Sequence, residues 1–365
     1  MNRAYRFRIY PTPEQEILFH KTFGCCRFVY NRMLADKMEE YEKTKKMKKI
    51  TPAAYKNSYP WLKEVDSLAL ANVQLHLEAA FRKFFREPKV GFPRFKSKHR
   101  SRKSYTTNVV NGNIRLSGGK LRLPKAGEVR MRLHREIPEG RKLKSVTVSM
   151  EPSGKYYASL LCEYEACENQ AGMRKAEKVL GIDYAMDGMA VFSTGEKCGN
   201  PGYYRQAVAR LAREQRRLSK CQKGSRNYRK QKRRVALCHE KVKNQRKDFL
   251  HKLSRSLAEE YDAVAVEDLD MKAMSQCLNF GKSVMDNGYG MFLNMLSYKL
   301  EDRGKRLVRT DKFFPSSKKC SRCGKVKRVL PLSERMYRCE CGNQMDRDVN
   351  AAINIREEGK RLLCA

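Results

Sequence analysis

The run YRCECGNQMDRDVNAAINIREEG, from Tyr337 to Gly359, sets two cysteines, two aspartates and a helical pattern in direct succession. Cys339 and Cys341 read as half of a metal knuckle. A structural metal loop ordinarily closes into a bland turn, yet Asp346 and Asp348 follow this one at once, and a helix-like run follows them. What this order is for depends on the rest of the chain.

The other half of the knuckle lies upstream. Cys320-x2-Cys323, then fifteen residues, then Cys339-x-Cys341 matches ribbon spacing with the second pair one residue short. Gly324 and Gly342 suit the tight turns that follow each pair. Four thiolates suit tetrahedral Zn2+, and the alternative is four unrelated thiols. The six histidines are scattered, and none forms an H-E-x-x-H motif that would compete for metal.

Two more acids stand at the ends of apolar runs: Asp183 closes KVLGID and Glu267 closes DAVAVE. Each alone reads equally well as a helix cap. Carboxylates gathered beside apolar strands are costly unless a cation neutralises them. Two such strand ends with an acid at a helix start make a cradle for Mg2+, which prefers hard oxygen ligands and keeps its waters. Two metals about 4 Å apart would activate water and stabilise the leaving oxygen of a phosphodiester.

Composition points to the substrate. The 365 residues hold 78 Lys and Arg against 40 Asp and Glu, a formal net charge of +38. No fold requires that excess, and a polyanion relieves it; nucleic acid is the expected one. The densest stretch, 201–250, carries seventeen Lys or Arg against three acids in a helical pattern broken at KGSRNYRK. Arg226, Arg229, Arg233 and Arg234 are its candidate phosphate contacts. Earlier, KVGFPRFKSKHRSRKSY interleaves cations with aromatics. Phe92, Arg94, Phe95 and Lys96 there suit phosphate contact and stacking, although an exposed basic linker would read the same way. The thirteen cysteines suggest reduced thiols. No secretory leader and no membrane-length apolar run is read, so a reducing cytoplasm (a prokaryotic cytosol or nucleoid) is expected, with no membrane partner.

The N-terminal half reads as a β unit interrupted by helices. Tyr5, Phe7 and Ile9 alternate as a strand. Thr12, Pro13 and Gln15 then form a helix start, and Leu70, Val73, Leu77, Phe81 and Phe84 share one face of a later helix. From Tyr105 the pattern turns to β, with a hairpin around Pro152, Ser153 and Gly154. ENQAGMRKAE, Glu168 to Glu177, reads as a linker.

Taken in order, YRFRIYPTPEQ, FGCCRFVYNRML, GFPRFKSK, GIDYAMDG, NQRKDFLHKLSRSL, VEDL, SYKLEDRGKRLVRTDKFFPSSKKCSRCG and DRDVNAAINI resemble the TnpB family, transposon-encoded RNA-guided endonucleases related to type V CRISPR effectors. The resemblance spans nearly the whole chain. It implies an α/β fold: a RuvC (RNase H-like) nuclease domain with an inserted zinc ribbon, plus an N-terminal β-barrel wedge domain carrying a helical recognition lobe. Its boundaries would be 1–11 and 105–170 for the wedge, 12–104 for the lobe, 177–318 and 344–365 for the nuclease, and 319–343 for the ribbon. The catalytic acids map onto Asp183, Glu267 and Asp348, with Asp346 the lesser candidate. They would hold Mg2+ in a two-metal site, while Cys320, Cys323, Cys339 and Cys341 would hold structural Zn2+. Ala351 and Ala352 would let the last helix lie close to the sheet. The implied partners are a guide RNA and double-stranded target DNA, with one protein copy in the complex. Alternatives are a type V CRISPR effector or descendant using another guide, an RNA-guided repressor that does not cut, and a strand-joining transposase. Sequencing of bound RNA and a product gel discriminate among them.

Overall fold

The alternation at Tyr5, Phe7 and Ile9 builds β1 (Asn2–Tyr10), with all three side chains buried. The computed structural model describes residues 2–46, 50–164, 176–185, 188–276, 281–331 and 333–364. The chain divides into two compact units, Met1–Ala166 and Cys167–Ala365. Most of the expected linker lies outside the described residues.

In the first unit β1 leads into α1 (Pro13–Thr44) through the expected capping box. The Gln15 N–H donates to the Thr12 hydroxyl at 3.3 Å, and the Thr12 N–H donates to the Gln15 side chain at 3.1 Å. After a one-turn α2 (Tyr55–Ser58) comes α3 (Ser67–Arg86), which buries Leu70, Val73, Leu77 and Phe81 against α1. The helices are therefore an insertion between β1 and β2 (Lys103–Asn108). β3 (Arg115–Ser117), β4 (Lys120–Leu123), β5 (Gly127–Arg132), β6 (Lys142–Met150) and β7 (Tyr156–Glu163) complete an antiparallel sheet of order β2-β6-β7-β1-β5-β4-β3. Gly154, at φ 82°, turns the β6–β7 hairpin where the sequence places it. The sheet is a half-barrel, not a closed ring, among the described residues. β3 has only three residues, all exposed, so its end of the sheet offers little to pair or bury.

The second unit centres on three parallel strands, β8 (Val179–Tyr184), β11 (Ala263–Glu267) and β12 (Arg306–Thr310). β9 (Ala190–Phe192) and β10 (Lys197–Cys198) extend it antiparallel, giving the order β10-β9-β8-β11-β12. α4 (Tyr203–Ser219) and α5 (Arg226–Glu260) form the basic helical hairpin. It turns at Gly224, φ 85°, and Ser225 caps α5 by accepting from the Tyr228 N–H at 3.0 Å. The short α6 (Met271–Gln276) and α7 (Gly281–Asn287) precede α8 (Tyr289–Glu301). One sheet face, built by Leu180, Ile182, Val264 and Val266, packs on Leu250 and Leu257 of α5 and on Phe292, Leu296 and Leu300 of α8.

The opposite face is covered by α9 (Arg347–Cys364), which follows the small hairpin of β13 (Met336–Arg338) and β14 (Gln344–Asp346). Two glycines let it approach. A Cβ on Gly181 would stand 2.0 Å from the Ala352 carbonyl oxygen, and one on Gly359 would stand 2.3 Å from the Ala265 Cβ. No real side-chain carbon tolerates either distance, so helix and sheet touch backbone to backbone at Gly181. Among the described residues no helix is long and apolar enough to cross a membrane.

Candidate active site and metal centre

Strand alternation decides where the acids point. Gly181 and Ala265 face α9, so Asp183 and Glu267, two residues further on, face it too. The strand register pairs Val266 with Ile182, and one more step sets Glu267 beside Asp183 at the carboxyl ends of adjacent parallel strands. That edge is where open α/β sheets place their ligands. The third acid, Asp348, sits in the first turn of α9 on the same face.

The charges of the three acids act on one another. Burial pushes the Asp183 carboxyl well above its ordinary range, and the Glu267 and Asp348 charges push it further. Arg347 offsets only a small part of this. Burial likewise raises Glu267, against a hydrogen bond donated to it by the Ser316 hydroxyl. All three residues are of intermediate exposure. Crowded carboxylates of this kind are a donor set for a hard divalent cation.

Asp346 is engaged elsewhere. Its carboxylate accepts from the backbone N–H groups of Asp348, at 2.9 Å, and Val349, at 3.2 Å, which caps α9. Lys197 pairs with its other oxygen at 2.6 Å. Burial pushes this carboxyl up, but Lys197 and the two N–H groups outweigh it and hold it below its ordinary value.

The four cysteines converge as their spacing suggests, with all four sulfurs within 4.8 Å of one another. Gly324 and Gly342 take φ 77° and 82°, the left-handed turns a knuckle needs. Burial raises the Cys320 thiol, but the Cys323 and Arg322 N–H groups and the Asn343 amide bring it down to about 6. Four converging sulfurs, one of them lowered in pKa by the N–H groups around it, suit structural zinc. The loop is fastened to α9 by two asparagines one turn apart. Asn350 accepts from the Ser321 N–H at 3.0 Å and donates to the Lys319 carbonyl at 2.7 Å. Asn354 donates to the Ser316 and Lys319 carbonyls at 2.7 and 2.6 Å. Both are buried.

Ser316, Asn350 and Asn354 escaped the sequence reading. Ser316 looked like one of several serines in a loop. The signal for the asparagines was their i, i+4 spacing on the apolar side of VNAAINI.

The candidate nucleic-acid residues are placed as follows. Arg226, Arg229, Arg233 and Arg234 are all exposed along the first turns of α5. Arg94 and Phe95 are exposed in the first unit. Lys96 is half-buried, with its ammonium 3.9 Å from the Tyr30 ring centroid and its main chain held at both ends by the Asn31 amide, at 2.9 and 2.7 Å. Burial lowers its pKa. Phe92 packs edge-on against Phe81 and Phe84 and is 44% exposed.

Fold and site together define a class: an α/β protein with three acids at one sheet edge and a four-cysteine ribbon bonded to the helix that carries the third. Comparisons with known proteins agree. Residues 1–46 match a family profile described as a helix-turn-helix domain, 159–278 one described as a probable transposase, and 289–355 one described as a Cas12f1-like TNB domain. A Streptomyces pristinaespiralis protein named "Putative RNA-guided DNA endonuclease" is 37% identical over 98% of this chain and 90% of its own. The Escherichia coli protein InsQ, which carries the same descriptive name, is 29% identical over 99% and 93%. The protein of a Cas12f1–sgRNA–target DNA complex solved by cryo-EM superposes with a TM-score of 0.60 at 14% identity, over 98% of both chains. The chain belongs to the TnpB family, related to type V effectors.

Proposed function

We propose that this chain is an RNA-guided DNA endonuclease that binds a guide RNA, recognises a short flanking motif and hydrolyses target DNA. The observation that carries the reading is the meeting of Asp183, Glu267 and Asp348 on one face of the sheet, from two strand ends and one helix start. The names of its relatives support the guide and the target. We assign 177–318 and 344–365 to a RuvC-like nuclease, 319–343 to its zinc ribbon, 1–11 and 105–170 to a wedge, and 12–104 to a recognition lobe. The working compartment is the prokaryotic cytosol.

Asp183, Glu267 and Asp348 would hold Mg2+. When bound there, Mg2+ supplies an acidified water and charge neutralisation at the phosphodiester. The chain's own part is positional. Ser316 donates to Glu267 and fixes its orientation, Asp346 fixes the start of α9, and Gly181 lets that helix approach until Asp348 joins the other two acids. Arg94, Phe95, Lys96 and the α5 arginines offer phosphate and stacking contacts that hold nucleic acid through its shape. Base pairing with the guide would then supply the sequence specificity.

The test is direct. RNA copurifying with the protein is sequenced, and a target matched to it is offered with Mg2+. Cleavage is expected, and Asp183→Ala or Glu267→Ala should abolish it with RNA affinity unchanged. Near wild-type cutting by either variant would show that the active site lies elsewhere.

The basic hairpin supplies a second check. Neutralising Arg226, Arg229, Arg233 and Arg234 together should weaken nucleic-acid binding and flatten its salt dependence. Each lost phosphate contact removes about 0.7 from the log–log slope for single strands and about 0.9 for B-form DNA. An unchanged slope would make these arginines a solvated surface.

A further inference from the structure

We propose that Phe313 forms a stacking subsite for a nucleobase of the strand presented to the carboxylate centre. This rests on the nuclease reading above and adds a ligand contact to it. Phe313 is 84% exposed, more than any other large apolar side chain among the described residues. Its position is confined by the chain. Thr310, the last residue of β12, pairs in register with Glu267, and Ser316 donates to the same carboxylate. Phe313 is three residues from each, so its backbone lies within about 11 Å of both anchors.

The loop between the anchors is built, not slack. The Asp311 carboxylate accepts from the Phe313 N–H at 2.8 Å, its carbonyl accepts from the Phe314 N–H at 3.1 Å, and the Ser316 N–H donates to the Phe314 carbonyl at 2.8 Å. Phe314 is partly buried beside the Lys319 ammonium, 5.5 Å from its ring. Phe313 therefore contributes nothing to the core, yet a closed turn holds its backbone between two anchors that both meet Glu267. A backbone fixed in advance loses little conformational freedom on binding.

The chemistry of the neighbours selects the ligand. The Lys312 ammonium stands 5.7 Å from the Phe313 ring, and Lys318 and Lys319 follow within the same segment. One lone ring among cations is a poor protein-docking patch, which needs contiguous apolar area. It suits a nucleobase, whose flat face stacks while its phosphates meet the ammonium groups. Stacking tolerates any base, as a nuclease guided by pairing requires.

The experiment uses the guide-loaded protein and a DNA strand carrying 2-aminopurine near the cut site. Phe313→Ala should raise KM for that strand about tenfold, within the range of base–aromatic stacking, and should abolish the 2-aminopurine quench seen on binding. Phe313→Tyr should restore both, Phe313→Leu neither, and guide-RNA affinity and Tm should not move. An Ala variant equal to wild type, or a Leu variant as good as Tyr, would overturn the subsite while wild-type cleavage leaves the nuclease reading intact. A wild-type protein that neither binds nor cuts the strand would overturn both.

Discussion

Asp348→Ala is expected to abolish DNA cleavage, whereas Asp346→Ala should leave a clear fraction of it. The two aspartates are two residues apart, and their surroundings separate them. Asp348 raises the Asp183 carboxyl by its charge, so it belongs to the crowded cluster that a divalent cation would relieve. Asp346 caps α9 and pairs with Lys197, which leaves it occupied. A lost catalytic ligand removing about 4 kcal/mol of barrier lowering slows the reaction about a thousandfold. A lost cap costs about 1 kcal/mol, and the partly exposed ion pair adds at most about as much.

Stability should move the opposite way. Asp348→Ala takes one like charge from the acid cluster, so the metal-free protein should keep or gain Tm. Asp346→Ala should lower Tm by about 2–4 °C for each kcal/mol lost, given a unit of this size. The pH dependence checks the sign. The folded-state pKa of Asp346 lies below its ordinary value, so its contribution is present above the ordinary carboxylate range and disappears as pH falls through the folded pKa. The Tm gap between wild type and Asp346→Ala should therefore close in acid. Cleavage assays of both variants with one guide and one target, beside melting curves, decide the assignment. An active Asp348→Ala with a dead Asp346→Ala would reverse it.

Removing zinc should also be damaging, although no cysteine need touch DNA. One ion per chain is expected in purified protein, and Cys320→Ser should release it. Cys320 is the buried thiol of the cluster, and the Asn343 amide donates to its sulfur at 3.4 Å. Structural zinc contributes about 10–16 kcal/mol to folding of isolated finger peptides at neutral pH. A ribbon this small has little else to hold it apart from the Tyr337 ring, which is fully buried with its hydroxyl donating to the Lys318 carbonyl at 3.0 Å. When the ribbon opens, Asn350 and Asn354 lose the Lys319 and Ser316 carbonyls and α9 loses its brace. Ser316 is also the donor to Glu267. Cleavage should fall at least about tenfold with guide binding less affected. Metal analysis and cleavage of the same preparation test this, and a zinc-free, fully active protein would refute it.

Much of the architecture is local chemistry, and local chemistry is legible in a sequence. The alternation of Tyr5, Phe7 and Ile9 specifies a strand because side chains repeat every two residues. Thr12 and Gln15 specify a helix start because each satisfies the other's backbone donor. Cys320, Cys323, Cys339 and Cys341, with a glycine after each pair, specify a four-sulfur cluster because knuckle geometry is short-range. The apolar runs ending at Asp183 and Glu267 specify buried strands, and the excess of cations over 201–250 specifies a strongly basic helical surface.

What the sequence left open was direction and proximity across the chain. DRD offers two aspartates of equal composition. The resemblance favours Asp348, and the packing of α9 on β8 and β11 brings its charge to bear on Asp183 while setting Asp346 against Lys197. That packing depends on Gly181 meeting Ala352 and Gly359 meeting Ala265, contacts between segments far apart in sequence whose only mark in each is a missing side chain. Ser316, Asn350 and Asn354 were hidden for the same reason, since a hydroxyl or an amide reveals its partner only when the fold brings one within hydrogen-bond reach. The sequence by itself determined which elements form and what charge they carry, because those follow from near neighbours. The tertiary structure alone decided which partners Asp346 takes and how the zinc loop braces the last helix, because those follow from distances the chain does not write in order.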